Sequence, residues 1–239
     1  MNYRSEPLRG LRDSLPIMLA YFPIAITFGV LATSSGIPWL TTCLISVCVY
    51  AGSAQFMMAS LALTGISTIS MVITILLVNL RHFLYGTTLG PTFMSWAEGK
   101  KWIAAFGLTD EVFAVTSGRS VGETPSPRYQ YTFSFACYFS WVAGTVVGAS
   151  IGGIVPSAVS QVLSFALPSL FLALLLLGRR TLPYLISAIC GGAIASLASL
   201  MKLGSVGIIA GAIVGATLGM AVQRWFERTS KATGQEVTS

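Results

Sequence analysis

The sequence predicts an all-α polytopic membrane protein, and three observations carry that reading: its composition, the lengths of its apolar runs and the places where its charges fall. Hydrophobic residues make up 54% of the 239-residue chain and charged residues only 9%, and the mean hydropathy is +0.77. Such a chain has too little polar surface to cover a soluble globule. Apolar runs of roughly twenty residues, the length of a helix that crosses hydrocarbon, follow one another from Ser14 to Gln223. Of the 14 basic and 8 acidic residues, all but Arg81, Asp110 and Glu111 fall at the termini or in short connections, which is the segregation lipid demands.

The first run, at about 14–34, follows a basic start of Arg4, Arg9 and Arg12. It is longer than a secretory h-region, holds Pro16 and Pro23, and lacks a small-x-small cleavage site, so it is predicted to remain as the first span behind a basic cytoplasmic stretch, residues 1–13. Ser34-Ser35-Gly36-Ile37-Pro38 ends it. Further runs at about 39–63, 67–93, 102–118, 129–154, 158–178, 182–200 and 203–223 bring the expectation to eight helical segments in a single transmembrane domain, with 224–239 as a polar tail. The fourth run is the shortest and most polar, so seven spans and one partial segment is the alternative.

Lys and Arg in short loops tend to stay cytoplasmic. Eight spans place both termini, the Arg119–Arg128 loop and Arg179-Arg180 inside, and the neutral loops near Gly36 and Pro156 outside. Lys100, Lys101 and Lys202 then fall on the wrong side, and a re-entrant segment in the first half would remove part of the conflict. The net charge of +6 marks loop ends and forms no basic stripe interleaved with aromatics, so no nucleic-acid partner is implied. Cys43, Cys48, Cys137 and Cys190 lie in apolar runs without paired metal-ligand spacing and read as small buried hydrophobes. No metal or cofactor is called for.

The second run is the place to expect irregular backbone. Ala51-Gly52-Ser53-Ala54-Gln55-Phe56 sets a glycine and small residues beside a glutamine at mid-depth; freed backbone groups there can coordinate a ligand, as in discontinuous transporter helices. Ordinary close packing, with Gln55 hydrogen-bonded to a neighbour, explains the same residues. Glycines at a spacing of four, Gly144, Gly148 and Gly152 in the fifth run and Gly207, Gly211, Gly215 and Gly219 in the eighth, keep to one helix face and read as helix-packing surfaces. The pattern leaves open whether the neighbour is in the same chain.

Asn79-Leu80-Arg81-His82 interrupts the third run and contains the chain's single histidine. An Arg in mid-membrane costs at least about 2.5–3.5 kcal/mol, so it is kept where it has a partner or a task. On a regular helix Asn79, His82 and Gly86 share a face, with Arg81 and Tyr85 about a quarter-turn or more round. Thr109-Asp110-Glu111 interrupts the next run. Consecutive side chains project about 100° apart, so Asp110 and Glu111 suit different partners, one neutralising Arg81 and one titrating. A static ion pair that fixes helix register is the alternative.

Three stretches, Ala51-Gly52-Ser53-Ala54-Gln55-Phe56, Asn79-Leu80-Arg81-His82-Phe83-Leu84-Tyr85-Gly86 and Leu108-Thr109-Asp110-Glu111-Val112-Phe113-Ala114, resemble the signature stretches of AzlC-type branched-chain amino-acid permeases. The resemblance extends over nearly the whole chain, the second half through hydropathy and glycine content. It implies the large subunit of a bacterial inner-membrane, multi-pass exporter of leucine, isoleucine and valine that works with a small AzlD-type membrane subunit. On that basis Arg81 would hold the substrate carboxylate, with Asn79, Gln55, Ser53 and Tyr85 as polar contacts, and His82, Asp110 or Glu111 would exchange a coupled proton. No G-x-x-x-x-G-K-[ST] loop occurs, so the expected energy source is an ion gradient. A pore for small solutes, a structural subunit tolerant of neutral replacements at Arg81 and Asp110, and a hydrolase built on Ser53, His82 and Asp110 are the competing classes.

Overall fold

The computed structural model describes residues 6–62, 67–120, 124–156, 182–201 and 204–233, with the single positions Val162, Phe165, Ser169 and Leu172. Among the described residues the regular elements are all helices: α1 (Glu6–Ser34), α2 (Trp39–Cys48), α3 (Gly52–Ala62), α4 (Thr68–Asn79), α5 (Arg81–Leu89), α6 (Glu98–Phe106), α7 (Asp110–Ser120), α8 (Pro127–Ile151) with a closing 3-10 turn (Gly152–Ile154), α9 (Leu182–Leu200) and α10 (Gly204–Thr233). They divide into two compact units, Met1–Ser169 and Leu170–Ser239. The chain is an all-α membrane protein. Three of the described stretches are long and apolar enough to cross a bilayer, Glu6–Ser34, Thr68–Leu89 and Pro127–Ile154, and Leu19, Ile69 and Phe83 turn outward from them as lipid-facing residues do.

The spine of the first unit is the pair α1 and α8, packed side by side and running in the same direction. Gly10 lies on Tyr129 and Phe133, Gly144 on Phe22, Gly148 on Ile26 and Gly152 on Thr33, while Ser140 Oγ donates to the Met18 carbonyl at 2.9 Å. The glycines are what allow the approach: a Cβ at Gly148 would stand 2.0 Å from the Ile26 carbonyl oxygen, and one at Gly144 2.5 Å from that of Phe22. The neighbour of this glycine series is therefore a helix of the same chain. Pro16 and Pro23 sit inside α1 without ending it.

Two predicted spans are corrected. Run 39–63 is two helices, interrupted at Val49–Ala51, and run 102–118 is two helices, interrupted at Gly107–Thr109. With α1 and α8 as a ruler, α2 descends from Ser150, whose Oγ accepts from Trp39 Nε1 at 3.1 Å, to Tyr138, whose hydroxyl donates to the Val47 carbonyl at 3.0 Å. α3 then climbs back, bringing the Phe56 ring within 5.7 Å of that of Phe28. The second hairpin mirrors the first from the other end. α6 starts where Lys100 O accepts from Tyr131 at 3.0 Å and reaches Tyr138, 5.5 Å from the Phe106 ring. α7 returns to Gln130, which accepts from Thr116 at 3.2 Å. Between the hairpins, α4 and α5 continue through a mild break at Leu80, which keeps helical dihedrals (φ −55, ψ −23). Their continuation brings Trp96 to within 6.3 Å of the Tyr131 ring.

In the second unit α9 and α10 pack antiparallel on small residues. Gly211 abuts Gly191, Gly215 abuts Ser187, and Gly219 abuts Ser187 and Pro183. A Cβ at Gly211 or Gly215 would come within 2.5 or 2.6 Å of a facing carbonyl oxygen. Gly207 lies on the same helix, with its surroundings outside the described residues. α10 continues to Thr233, ten residues past the expected end of the run. The run expected at 158–178 falls outside the described residues. Cys43 and Cys137 are buried and Cys190 half-buried, whereas Cys48 is exposed, contrary to its reading as a buried hydrophobe.

Candidate functional site

The interruptions of the helices bring the polar residues together. Ser53 occupies the first turn of α3, Arg81 opens α5 just after Leu80, and Asp110 and Glu111 form the first turn of α7. Each lies at or within two residues of an interruption. The acidic pair at the start of α7 complements the positive end of its helix dipole, and the Thr109 hydroxyl caps that end by accepting from the Val112 N–H at 3.3 Å.

Arg81 is the hub. Its Nη1 is 2.9 Å from Asp110 Oδ2, and its Nη2 donates to Ser53 Oγ. Asp110 is held from its other oxygen by the Tyr85 hydroxyl, and the Tyr85 ring stacks on Phe113 at 4.3 Å. Three helices thus converge on one guanidinium. Side chains of the pair remain 25% and 19% exposed, Arg81 and Asp110 respectively, so the protein covers the pair only in part. A guanidinium presents a planar fork that matches a carboxylate, and here Asp110 takes one arm of it and Ser53 the other.

Glu111 points elsewhere. It accepts from the Tyr21 hydroxyl at 2.5 Å, and that hydroxyl is also 2.6 Å from Thr109 Oγ1. Tyr21 sits in the middle of α1, edge-on to Trp141 at 5.2 Å and to Tyr50 at 6.4 Å. Neighbours in sequence therefore serve two centres, one built on Arg81 and one on Tyr21. Nothing local in sequence marked Tyr21. The general signal was a phenol inside an apolar helix, which needs a hydrogen-bond partner when buried.

Gln55 is 1% exposed and holds the first interruption together. Its Oε1 accepts from Trp141 Nε1 at 2.9 Å and from Ser46 Oγ at 3.3 Å, and its Nε2 donates to the Val49 carbonyl at 2.5 Å. This is the neighbour-bonded arrangement rather than an amide open to a ligand. Gly52 lets the tip approach Trp141, since a Cβ there would meet that ring at 2.8 Å. His82 Nδ1 lies 3.2 Å from the Asn79 carbonyl oxygen, and its ring is 5.2 Å from that of Tyr85. Ser53 is bonded to Arg81, so Ser53, His82 and Asp110 do not form a nucleophile, base and acid in series. Among the described residues the buried Asn79 Oδ1 has no hydrogen-bond partner. Among the described residues no three His, Cys, Asp or Glu side chains gather as a metal site.

A second charged cluster, invisible in the sequence because Asp13 is over a hundred residues from its partners, closes one end of the unit. Arg119 Nη1 is 3.2 Å from Asp13 Oδ2, its guanidinium carbon lies 4.1 Å over the Tyr129 ring, and the Tyr129 hydroxyl donates to the same Asp13 oxygen at 2.9 Å. Ser126 caps α8 and donates to Glu6.

Comparison with known proteins places these residues in a wider set. The family described as AzlC protein matches residues 16–155, the stretch that holds the Arg81 and Tyr21 centres. An uncharacterized membrane protein of Archaeoglobus fulgidus is 37% identical over 212 residues, 88% of this chain and 92% of that protein. Inner membrane protein YgaZ of Escherichia coli is 34% identical over 225 residues, 91% of each chain. The branched-chain amino acid transport protein AzlC of Bacillus subtilis is 25% identical over 179 residues, 73% of this chain and 70% of that protein. No solved structure matches the chain.

Proposed function

We propose that this chain, which belongs to the AzlC protein family, is a secondary transporter that exports branched-chain amino acids across the bacterial inner membrane together with a small AzlD-type membrane subunit. Family membership and the transport activity in the name of the Bacillus subtilis relative support the substrate class. The inner-membrane description of the Escherichia coli relative supports the location.

The observation that carries the reading is the Arg81 centre, a cation paired with a displaceable carboxylate where three interrupted helices meet. A zwitterion with an aliphatic side chain needs a cation, an acceptor for its ammonium and an apolar wall. Arg81 supplies the first, Asn79 Oδ1 the second, and the Tyr85–Phe113 stack the third. Substrate carboxylate takes Arg81 from Asp110, Asp110 keeps the Tyr85 hydroxyl, and the return of Asp110 expels the substrate. Ser53 orients the guanidinium. Gln55 acts one step back, as the brace of the α2–α3 tip. Glu111, bonded to the Tyr21 hydroxyl and not to the guanidinium, is the residue we assign to the coupled proton, with His82 beside Tyr85 as the alternative carrier.

The test is efflux of labelled leucine, isoleucine and valine from preloaded membrane vesicles holding this chain, with and without the small subunit, under an imposed proton gradient. Gradient-dependent efflux that needs both proteins is the expected result. No efflux of any of the three from correctly inserted protein would overturn the assignment.

A further inference from the structure

If residues 39–62 and 98–120 each crossed the membrane once, Lys100 and Lys101 would lie on the face opposite Arg119 and Arg128, against the tendency of basic loop residues to stay cytoplasmic. Helix lengths argue against single crossings. α2, α3, α6 and α7 have 10, 11, 9 and 11 residues, so at about 1.5 Å per residue each covers roughly 15 Å, half of a hydrocarbon core of about 30 Å. By contrast, Glu6–Ser34, Thr68–Leu89 and Pro127–Ile154 have full length at 29, 22 and 28 residues.

Contacts along the α1–α8 spine give the direction of each half-helix. Trp39 at the start of α2 is at the level of Ser150, Val47 and Tyr50 at that of Tyr138, and Phe56 at that of Phe28, seven residues further along α1 than Tyr21. Lys100 is at the level of Tyr131, Phe106 at that of Tyr138, Thr109 at that of Tyr21, and Arg119 back beside Asp13 and Tyr129. Each hairpin returns to the end from which it came. The route of α4 and α5 agrees: Arg81 is level with the tips, and the chain beyond α5 reaches Trp96 beside Tyr131, so α4 starts at the Ser150 end, where α3 must finish.

We propose that α2–α3 and α6–α7 are re-entrant hairpins that enter the membrane from opposite faces, the first from outside and the second from the cytoplasm, and meet near mid-depth beside Arg81. Irregular backbone at that depth is tolerated where protein satisfies or covers it: Gln55 Nε2 donates to the Val49 carbonyl at one tip, and Gly107, Leu108 and Thr109 are buried at the other. With this path Arg9, Arg12, Lys100, Lys101, Arg119 and Arg128 share the cytoplasmic face, and the neutral connection at Ser35–Pro38 lies outside. The conflict at Lys100 and Lys101 disappears without moving a residue. On the transport reading given above, on which this last step rests, each hairpin is the barrier toward its own face, and withdrawal of one tip opens the Arg81 centre to one side only.

Single cysteines test the path. In a background with Cys48 and Cys190 replaced by Ser, the variants Ser34→Cys, Thr68→Cys, Ser95→Cys and Thr124→Cys, all at exposed positions, are treated with a membrane-impermeant maleimide in intact spheroplasts and in inside-out vesicles. Baseline labelling of the background protein, in which Cys43 and Cys137 are buried, is subtracted. Ser34→Cys and Thr68→Cys should label at least tenfold more in spheroplasts, and Ser95→Cys and Thr124→Cys at least tenfold more in inside-out vesicles. Where a variant inserts poorly, the exposed neighbours Ile69 and Met94 take its place. Labelling of the two flanks of either hairpin from opposite faces would overturn the proposal. The readout needs no transport, so it stands or falls apart from the assigned substrate.

Discussion

Replacement of Asp110 by Asn tests whether Arg81 exchanges one carboxylate for another. With Asp110 Oδ2 2.9 Å from Arg81 Nη1, an arriving substrate must displace that side chain before its own carboxylate can be held. Opposite charges at this separation attract by about 6 kcal/mol at an effective dielectric constant of about 20, and desolvation offsets much of it. Exposed pairs are worth about 0–1 kcal/mol, whereas breaking a buried pair costs about 3–5 kcal/mol. At 25% and 19% side-chain exposure this pair falls between, at about 2 kcal/mol, or roughly a 30-fold change in a binding constant. Asn keeps the shape and an oxygen for the Tyr85 hydroxyl. Binding of labelled leucine to purified Asp110→Asn protein, measured by scintillation proximity, should therefore be about 30-fold tighter than to the parent, while efflux slows because nothing takes Arg81 back from the substrate. Weaker binding with unchanged efflux would refute the exchange.

Other consequences are equally specific. Tyr21→Phe removes the hydroxyl shared by Glu111 and Thr109; a hydrogen bond to a charged group is worth about 1.5–3 kcal/mol, so gradient-driven efflux should fall about tenfold or more while leucine–leucine exchange persists, and equal loss of both would remove Glu111 from the proton step. Gly148→Leu should lower the melting temperature of the detergent-solubilised protein strongly, since the first added carbon would stand 2.0 Å from the Ile26 carbonyl oxygen; Gly153→Ala, with nothing within 4 Å of its Cβ, should leave it unchanged. Gln55→Leu removes three hydrogen bonds at the α2–α3 tip and, with each unsatisfied buried partner costing about 1–3 kcal/mol, should destabilise the protein in the same melting assay while Ser53→Ala does so far less.

Class, charge placement and the polar clusters were legible in the sequence because they depend on what lipid excludes. Arg81, Asp110 and Glu111 stand out against apolar neighbours whatever their partners are. The break in the second run was legible from Ala51-Gly52-Ser53-Ala54-Gln55-Phe56, but the return of each half-helix was not, because two half-length helices carry the same hydropathy as one full-length helix. Val49-Tyr50-Ala51 itself contains neither proline nor glycine, whereas Gly107 offered at least one cue at the other tip. A second sequence-level sign of the proposed path was Lys100-Lys101, stranded on the wrong face of a simple up-and-down arrangement. Glycine spacing identified packing faces but not their partners, which depend on the parallel course of α1 and α8. The Arg119, Asp13 and Tyr129 cluster joins residues whose association only the folded chain defines.

The Arg81 centre is tested most directly by gradient-driven leucine efflux from vesicles matched for inserted protein, comparing the parent chain with Arg81→Ala and Arg81→Lys in the presence of the small subunit. The account predicts background efflux for Arg81→Ala and partial recovery for Arg81→Lys, which keeps the charge but loses the planar fork. Efflux at the parental rate from Arg81→Ala would contradict it.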